Sequence, residues 1–212
     1  MAYEAGAYSE PVHEILEFWF GDGLDEPVVQ STKGPLWFSA NAQLDASIRE
    51  RFGSQVEAAA AGELDPWLSF PYGRLAAIIL LDQFTRNIYR GTAKAFKDDA
   101  KALSWCRTGV ELGQHEAVRS VERPFFFMPL MHAETPEAQD QAIELFEELV
   151  ADSSPELRAS FEHNLKFAHL HKDLITQFGR FPHRNALLGR TSSAEELEHL
   201  ATSNQSFGQS KR

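Results

Sequence analysis

Residues 73–91, GRLAAIILLDQFTRNIYRG, predict the central element of the fold. Apolar residues lie nearly all round the first half of this stretch, which is typical of a helix packed on several sides. The helix is predicted from about Gly73 to Tyr89, with Gly91 closing it. At about 100° per residue its polar side chains share one strip. The strip consists of Asp82, Arg86 and Arg90, with Gln83 and Asn87 beside them. Because the rest of the helix is apolar, these side chains need partners inside the protein.

The polar strip has two interpretations. In the first, Asp82 and Arg86 form an ion pair at four-residue spacing, in the favourable order with the acid first. In the second, Arg86 and Asn87 point into a cavity and present planar donors to a carboxylate or a phosphate. The sequence leaves both open.

The rest of the chain also reads as helices separated by Gly and Pro, because apolar residues recur at spacings of three and four and no sustained β-branched alternation is present. The sequence therefore predicts an all-α protein, with residues 22–40 as an irregular connection. Helices are predicted over about residues 12–20, 44–62, 73–89, 98–110, 136–150 and 155–178, with shorter ones within 122–134, after Pro182 and after Ser193. A capping box is predicted from Ser192 or Ser193 with Glu195 or Glu196.

Composition limits the classes of function. The 212 residues carry 20 Lys and Arg against 31 Asp and Glu, a net charge of −11, so neither nucleic acid nor an anionic membrane surface is an expected partner. The single cysteine, Cys106, excludes an internal disulfide. The N-terminus lacks the basic and apolar regions of a signal peptide, and a cytoplasmic protein is expected. One domain over residues 1–201 and a flexible tail over 202–212 are predicted.

Two histidine-containing segments are candidates for part of a functional site. His169 and His171 diverge by about 200° on a regular helix, so they do not chelate one metal ion, and no metal or cofactor is predicted. His171 lies on the apolar face of its helix, where it is either a hydrogen-bonded core residue or part of a site. His132 and Glu134 follow a Phe-rich segment and form either an acid–base pair or ordinary core and capping hydrogen bonds.

The stretch 179–190, GRFPHRNALLGR, is basic within an acidic protein. It holds four basic side chains and no acidic one: Arg180, His183, Arg184 and Arg190. If Pro182 begins a helix, free backbone amides add to a positive patch that suits an anion. Alternatively, the arginines pair with carboxylates of neighbouring helices, for which Asp82, Glu134 and Asp173 are candidates.

Five segments together resemble a bacterial family known as domain-of-unknown-function family 924. They are ILEFWFG (15–21), Trp37 with Phe38, LLDQFTRNIYRG (80–91), ERPFFFMPLMHAE (122–134) and FGRFPHRNALLGR (178–190). The resemblance runs from about Pro11 to Leu200. It implies an all-helical fold similar to tetratricopeptide-like arrays of antiparallel helix pairs. It implies no reaction, and no catalytic residue follows from it.

Three functional hypotheses follow. The first is a small-molecule site in which polar side chains hold an anionic group, a carboxylate or a phosphate. Its candidate residues are Asp82, Arg86, Asn87, His132, Glu134, His171, Arg180, His183, Arg184 and Asn185. The second is an interaction module whose concave face binds a peptide or a partner helix. The third is a scaffold in which these residues pair with one another. No nucleotide-binding or nucleophile motif is present, so the sequence leaves catalysis and the oligomeric state open.

Overall fold

The computed structural model describes residues 9–202, and within that range the chain is helical and contains no strand, which confirms the all-α prediction. The helices are α1 Glu10–Phe20, α2 Glu26–Trp37, α3 Ala42–Ala61, α4 Pro71–Ile78, α5 Thr85–Ile88, α6 Asp99–Glu111, α7 Arg123–Met131, α8 Pro136–Ala151, α9 Pro155–Phe178 and α10 Ala194–Thr202.

A continuous helical run through residues 71–88 forms the centre of the molecule. It consists of α4, a π-helical stretch Ile79–Phe84 and α5, and every residue from 73 to 85 is buried. The regular α-helix predicted over 73–89 is therefore wrong in its middle. In a π-helix the hydrogen bonds span five residues instead of four, so one turn is widened. Asp82 lies in the widened turn, and hydropathy alone does not reveal such a change of period.

Aromatic rings join the central run to α1, α2 and α7. Trp37 of α2 packs edge-to-face on Phe125 of α7, with ring centroids 4.7 Å apart. Trp19 of α1 meets Phe84 of the π-helical stretch in the same manner at 5.3 Å. The indole nitrogen of Trp37 donates a hydrogen bond to the carbonyl of Trp19 at 2.9 Å. Such ring pairs stabilise by about 0.5–1.5 kcal/mol beyond the area they bury.

The prediction of an irregular connection over residues 22–40 is wrong, because α2 occupies Glu26–Trp37. Pro27 in its first turn needs no hydrogen-bond donor, which suits a helix start. Pro35 lies inside the helix close to its C-terminal end and removes one backbone hydrogen bond there. Burial of Val29 and Trp37 anchors the helix despite its weak propensity.

The second half of the chain contains two long helices, α8 and α9. As predicted, Pro136 begins α8 and Pro155 begins α9, which ends at Gly179 with a left-handed φ of 68°. Helix α8 packs on α7 and α9, and α9 also reaches α2 and α7. The open space between α9 and the central run is therefore bounded on several sides.

The C-terminal helix begins with the predicted capping box. The backbone amide of Glu196 donates to Oγ of Ser193 at 3.1 Å, and the amide of Ser193 donates to Glu196 at 2.7 Å. This reciprocal pair satisfies two amides that a helix start would otherwise leave unbonded.

Some predictions about organisation are not decided by these helices. The array of antiparallel pairs with a tetratricopeptide-like superhelix stays a prediction, as does a single domain over residues 1–201. In the predicted tail, Thr202 is the last residue of α10, and 203–212 lie outside the described residues. Across residues 9–202, no helix has the length and apolar character needed to cross a membrane.

Two glycine substitutions test the packing of the central run. A Cβ at Gly109 of α6 would lie 2.5 Å from Cζ of Phe126 and would also clash with Cδ of Arg74, whereas nothing lies within 4 Å of a Cβ at Gly53 of α3. We expect Gly109→Ala to lower the free energy of unfolding by about 1–3 kcal/mol, because the core cannot accept added volume. Gly53→Ala should raise it by about 0.5–1 kcal/mol, because alanine restricts the unfolded chain. Urea unfolding measures both changes, and equal effects would contradict the packing described for α6.

Candidate functional site

A cavity of 540 Å³ lies between α2, the central run, α7, α8, α9 and the turn Pro182–Arg184. Most of its wall is aromatic or aliphatic, formed by Trp37, Phe38, Phe96, Met128, Met131, Phe146, Phe167 and Leu170. The polar part of the wall includes six residues that the sequence proposed for a site: Arg86, Asn87, His132, His171, His183 and Arg184. Arg86 and Arg184, which are 98 positions apart in the chain, therefore line the same cavity.

Asp82 holds His132 in place from behind the wall. Its carboxylate is fully buried and lies 2.8 Å and 3.0 Å from Nδ1 of His132. A carboxylate accepts but does not donate, so Nδ1 carries the hydrogen and Nε2 keeps its lone pair. Among residues 9–202, Nε2 has no hydrogen-bond partner, and the ring lines the cavity. The pair thus directs a hydrogen-bond acceptor at the enclosed space.

Ionisation of Asp82 is set by its neighbours. Burial alone would raise the pKa of Asp82, but Arg86 and His132 lower it far below its usual range. For His132, burial lowers the pKa, and the opposing attraction of Asp82 is offset in part by Arg86. At neutral pH the pair is therefore a carboxylate and a neutral imidazole.

Arg86 joins two carboxylates. It donates to both oxygens of Asp99 at 3.0 Å, and its Nη1 also lies 3.3 Å from Asp82. Burial disfavours the charge of Arg86, yet these two carboxylates raise its pKa above the ordinary value. The helical pair predicted between Asp82 and Arg86 is present, but Asp99, which the sequence did not single out, supplies the bidentate contact.

Arg184 lies between two aromatic rings. Its guanidinium carbon is 4.7 Å from the ring centre of Phe96 and 4.6 Å from that of Phe181. Nη1 donates to Asp99 at 3.2 Å, whereas Nε is buried without a partner and Nη2 has none within residues 9–202. Burial lowers the pKa of Arg184 to about 10, so the group stays charged at neutral pH but is weakly compensated.

Two further histidines of the wall, His171 and His183, are neutral as well. Nδ1 of His171 donates to the carbonyl of Phe167 at 2.8 Å, and its ring centre lies 6.0 Å from that of His132. Burial, followed by the repulsion of His132, lowers the pKa of His171 to about 3. Burial and Arg184 lower the pKa of His183 to about 3. The uncharged imidazoles of His132, His171 and His183 thus share the cavity wall with the guanidinium groups of Arg86, Arg90 and Arg184.

The remaining proposed residues lie away from the cavity. Glu134 accepts two hydrogen bonds from Arg190 at 2.7 Å and 3.0 Å and one from the amide of Phe181 at 2.8 Å. Arg180 donates to Glu196 at 2.6 Å and 2.8 Å. These residues connect the C-terminal segment to α7 and α10.

Two amide side chains from the proposed set also have partners within the protein. Asn185 is buried, and its amide nitrogen donates to Ser192 at 3.0 Å. Asn87 does line the cavity, but its amide donates to Asp45, which Arg90 also binds. Donation toward a ligand from these amide groups therefore has to compete with existing bonds.

The predicted positive patch over residues 179–190 is largely neutralised by the protein. Pro182 opens a single 3₁₀ turn, Pro182–Arg184, so the free amides of a long helix are not present there. Carboxylates of Glu134 and Glu196 take the place of an external anion at Arg190 and Arg180. Arg184 alone of the three arginines turns to the cavity.

Sequence reasoning missed most of the apolar wall and one charged group. Trp37 and Phe38 belong to the segment predicted as irregular, so they had no assigned face. Asp99 sits in the first turn of α6, where an acidic residue is explained by the helix dipole alone. Asn164 on the apolar stripe of α9 was the available signal that this helix faces a polar space.

The arrangement offers hydrogen-bond groups to a ligand, and the imidazole of His132 can accept a proton. A neutral imidazole oriented by a buried carboxylate is the usual form of a general base, and a nearby guanidinium stabilises negative charge. Within the described part of the chain, no group of three His, Cys, Asp or Glu side chains has the geometry of a metal site.

Fold and site together define an all-α protein with a partly open, mainly apolar cavity beside an internally paired cluster of arginine, aspartate and histidine. The chain belongs to the family described as bacterial protein of unknown function (DUF924), whose model matches residues 15–204. It is similar to the solved structure of a protein of unknown function from Agrobacterium tumefaciens, with 33% sequence identity and a TM-score of 0.77. That similarity covers 91% of this chain and 97% of the other. No protein among the curated ones matches.

The contacts of Glu134 predict a structural role with a defined pH dependence. We expect Glu134→Gln to lower the free energy of unfolding by about 1–3 kcal/mol at pH 7, because it removes charge-assisted hydrogen bonds. Burial raises the pKa of Glu134, but Arg190 and Phe181 lower it below its usual range. The contribution of the carboxylate is therefore complete above the unfolded pKa of about 4.3 and is lost as the pH falls through the folded pKa.

Urea unfolding between pH 7 and pH 3.5 measures this dependence. The difference between wild type and Glu134→Gln should shrink below about pH 4.3. Glu162→Gln, at an exposed position of α9, is the matched control and should change stability by less than about 0.5 kcal/mol. A pH-independent difference for Glu134→Gln would show that the ionised carboxylate is not what stabilises this contact.

Proposed function

We propose that the protein binds a small organic molecule that carries an apolar body and one anionic head group, a carboxylate or a phosphate, in the cavity between α9 and the central run. Arg184 is the observation that carries the proposal. Its guanidinium is buried, lines the cavity, and forms one hydrogen bond, at 3.2 Å, to a carboxylate that Arg86 already binds with two. A buried cation with unused donors is stabilised by an acceptor that completes its hydrogen bonds.

The rest of the wall supports an apolar body. Drug-sized ligands occupy clefts of about 300–1,000 Å³ that are mostly apolar with a few placed polar groups. The 540 Å³ cavity falls in that range, and its aromatic and methionine side chains offer flat and adaptable surfaces. Two of these, Phe38 and Phe167, are 58% and 36% exposed, so the apolar wall continues to the surface.

A second candidate is an interaction module that takes a peptide or a partner helix. The exposed rings of Phe38 and Phe167 favour it, because a peptide side chain or C-terminal carboxylate could enter along them. Convergence of Arg86, His132 and Arg184 in one enclosed space favours the small molecule instead, since an extended groove does not require it.

A thermal-shift measurement tests the small-molecule proposal. The probes are hexanoate, 3-phenylpropanoate and phenyl phosphate, each titrated against wild type, Arg184→Gln and Arg180→Gln. A probe at about 100 times its Kd stabilises by about 2.7 kcal/mol, which raises the Tm of a chain of this length by roughly 5–10 °C. We expect that shift for wild type with at least one probe.

The two variants remove the same charge from the same segment, but only Arg184 lines the cavity. Arg184→Gln should weaken binding about 10- to 100-fold, the range for charge-assisted hydrogen bonds, and Arg180→Gln should leave it unchanged. Circular dichroism verifies that each variant is folded. Equal shifts in all three proteins, or no shift with any probe, would contradict the proposal. Binding of a hydrophobic peptide ending in a carboxylate, with no response to the small probes, would favour the interaction module.

A further inference from the structure

We infer that an anionic head group enters the cavity together with one proton, which His132 takes up at Nε2, so that binding is coupled to protonation of the Asp82 and His132 pair. The inference rests on the proposed function and specifies how the same site is regulated. In the complex, the protonated Nε2 of His132 donates a hydrogen bond to the anionic head group, in addition to those from the arginines.

The charge balance of the empty cavity is the first step. Arg86 and Arg184 are matched by Asp82 and Asp99, through contacts of 3.0 Å to 3.3 Å. Arg90, a third arginine of the wall, is paired with Asp45 at 2.7 Å. Burial lowers the pKa of His132, His171 and His183, so these rings are neutral. A bound carboxylate or sulfonate would thus leave one uncompensated negative charge beside the buried side chains of Arg184 and His171, which is costly. Uptake of one proton restores neutrality.

His132 is the acceptor that the geometry selects. Its Nδ1 already donates to the fully buried carboxylate of Asp82, which stabilises an imidazolium by direct contact at 2.8 Å. Its Nε2 has no partner among residues 9–202 and belongs to a ring of the wall. A proton on Nε2 would therefore face the ligand, while the carboxylate of Asp82 stabilises the imidazolium from the Nδ1 side.

Four charged or titratable groups from different elements face His132. Asp82 comes from the π-helical stretch, Arg86 from α5, His171 from α9, and Arg184 from the turn after α9. In the empty cavity Arg86 and Arg184 disfavour a third positive charge, and burial adds to that effect. A bound anion opposes both arginines and so removes the main obstacle to protonation.

The neighbouring histidines are poorer acceptors. His171 donates Nδ1 to the neutral carbonyl of Phe167 instead of a carboxylate. For His183, burial and the positive Arg184 act together to lower its pKa. Both rings therefore gain less from the ligand charge than His132 does.

The sign of the pH dependence follows. Because ligand binding raises the pKa of His132 from its lowered value, the coupling is complete at low pH and is lost as the pH rises through the pKa of His132 in the complex. Between the two pKa values, affinity for a permanently charged anion falls tenfold for each pH unit. A ligand that only had to ionise before binding would show the opposite trend, because its affinity would rise with pH.

Isothermal titration calorimetry measures the proton directly. The probes are hexane-1-sulfonate, whose charge is constant, and hexanoate, which is ionised above about pH 6. Titrations at pH 6.5 in Bis-Tris and in imidazole, two buffers that are not anions and differ in their heat of ionisation, give the number of protons taken up. We expect up to one proton per molecule bound near pH 6.5, and an affinity that falls by up to tenfold per unit toward pH 8.

His132→Asn is the matching variant, because an asparagine amide replaces Nδ1 as a donor to Asp82 but offers nothing at the position of Nε2. It should bind more weakly, without proton uptake and without pH dependence. His169→Asn changes an exposed histidine of α9 that lies outside the cavity wall, and it should behave as wild type. If His132→Asn fails to fold, wild-type ¹H–¹⁵N spectra of the histidine rings still decide the question. One ring should change from neutral to doubly protonated when hexane-1-sulfonate is added.

The outcomes separate the two proposals. Binding with no proton uptake, or no ring that becomes doubly protonated, would overturn the coupling and leave the proposed function standing. Unchanged uptake in His132→Asn would overturn the assignment to His132. No binding of any probe at any pH would overturn both.

Discussion

The buried carboxylate of Asp82 is the constraint on which the site depends. It sits in the widened π-helical turn at the centre of the molecule, where water does not reach it. Its charge is tolerable only because Arg86, His132 and the amide of Gln83 all contact it. Satisfying one carboxylate therefore fixes an arginine and a histidine on two different helices and aims both at the cavity.

A second tier of ion pairs holds the segment that closes the cavity. Glu134 binds Arg190 and the amide of Phe181, and Glu196 binds Arg180, so the turn that carries Arg184 is attached at both ends. Phe96 and Phe181 then hold the guanidinium of Arg184 between their rings. Carboxylates outside the cavity thus place Arg184, whose Nε has no partner, at the cavity wall. One segment therefore combines a scaffold role with the proposed binding role.

Helical periodicity and local charge identify some residues of the site and miss others. Asp82, Arg86 and His171 are polar groups on apolar helices, and burial demands partners for them, so helical periodicity finds them. Arg180 and Arg190 look equally functional in the sequence, because local charge does not reveal which carboxylate will neutralise them. Asp99 is not found at all, since its position at the start of α6 already has an ordinary explanation. Periodicity also misplaced the Trp37 segment, because a Gly and a Pro near the end of α2 resemble a break.

The sequence by itself determined the helical class, the starts at Pro136 and Pro155, the burial of the central run and the presence of polar groups within it, because these follow from spacing, propensity and hydropathy along the chain. Only the tertiary structure decided which charges meet, since pairing depends on distances between segments such as 82, 132 and 184. It also decided that Arg184 keeps unused donors and that His132 presents a lone pair. Electrostatic energy inside a protein varies with position and neighbours, and linear spacing carries no record of either.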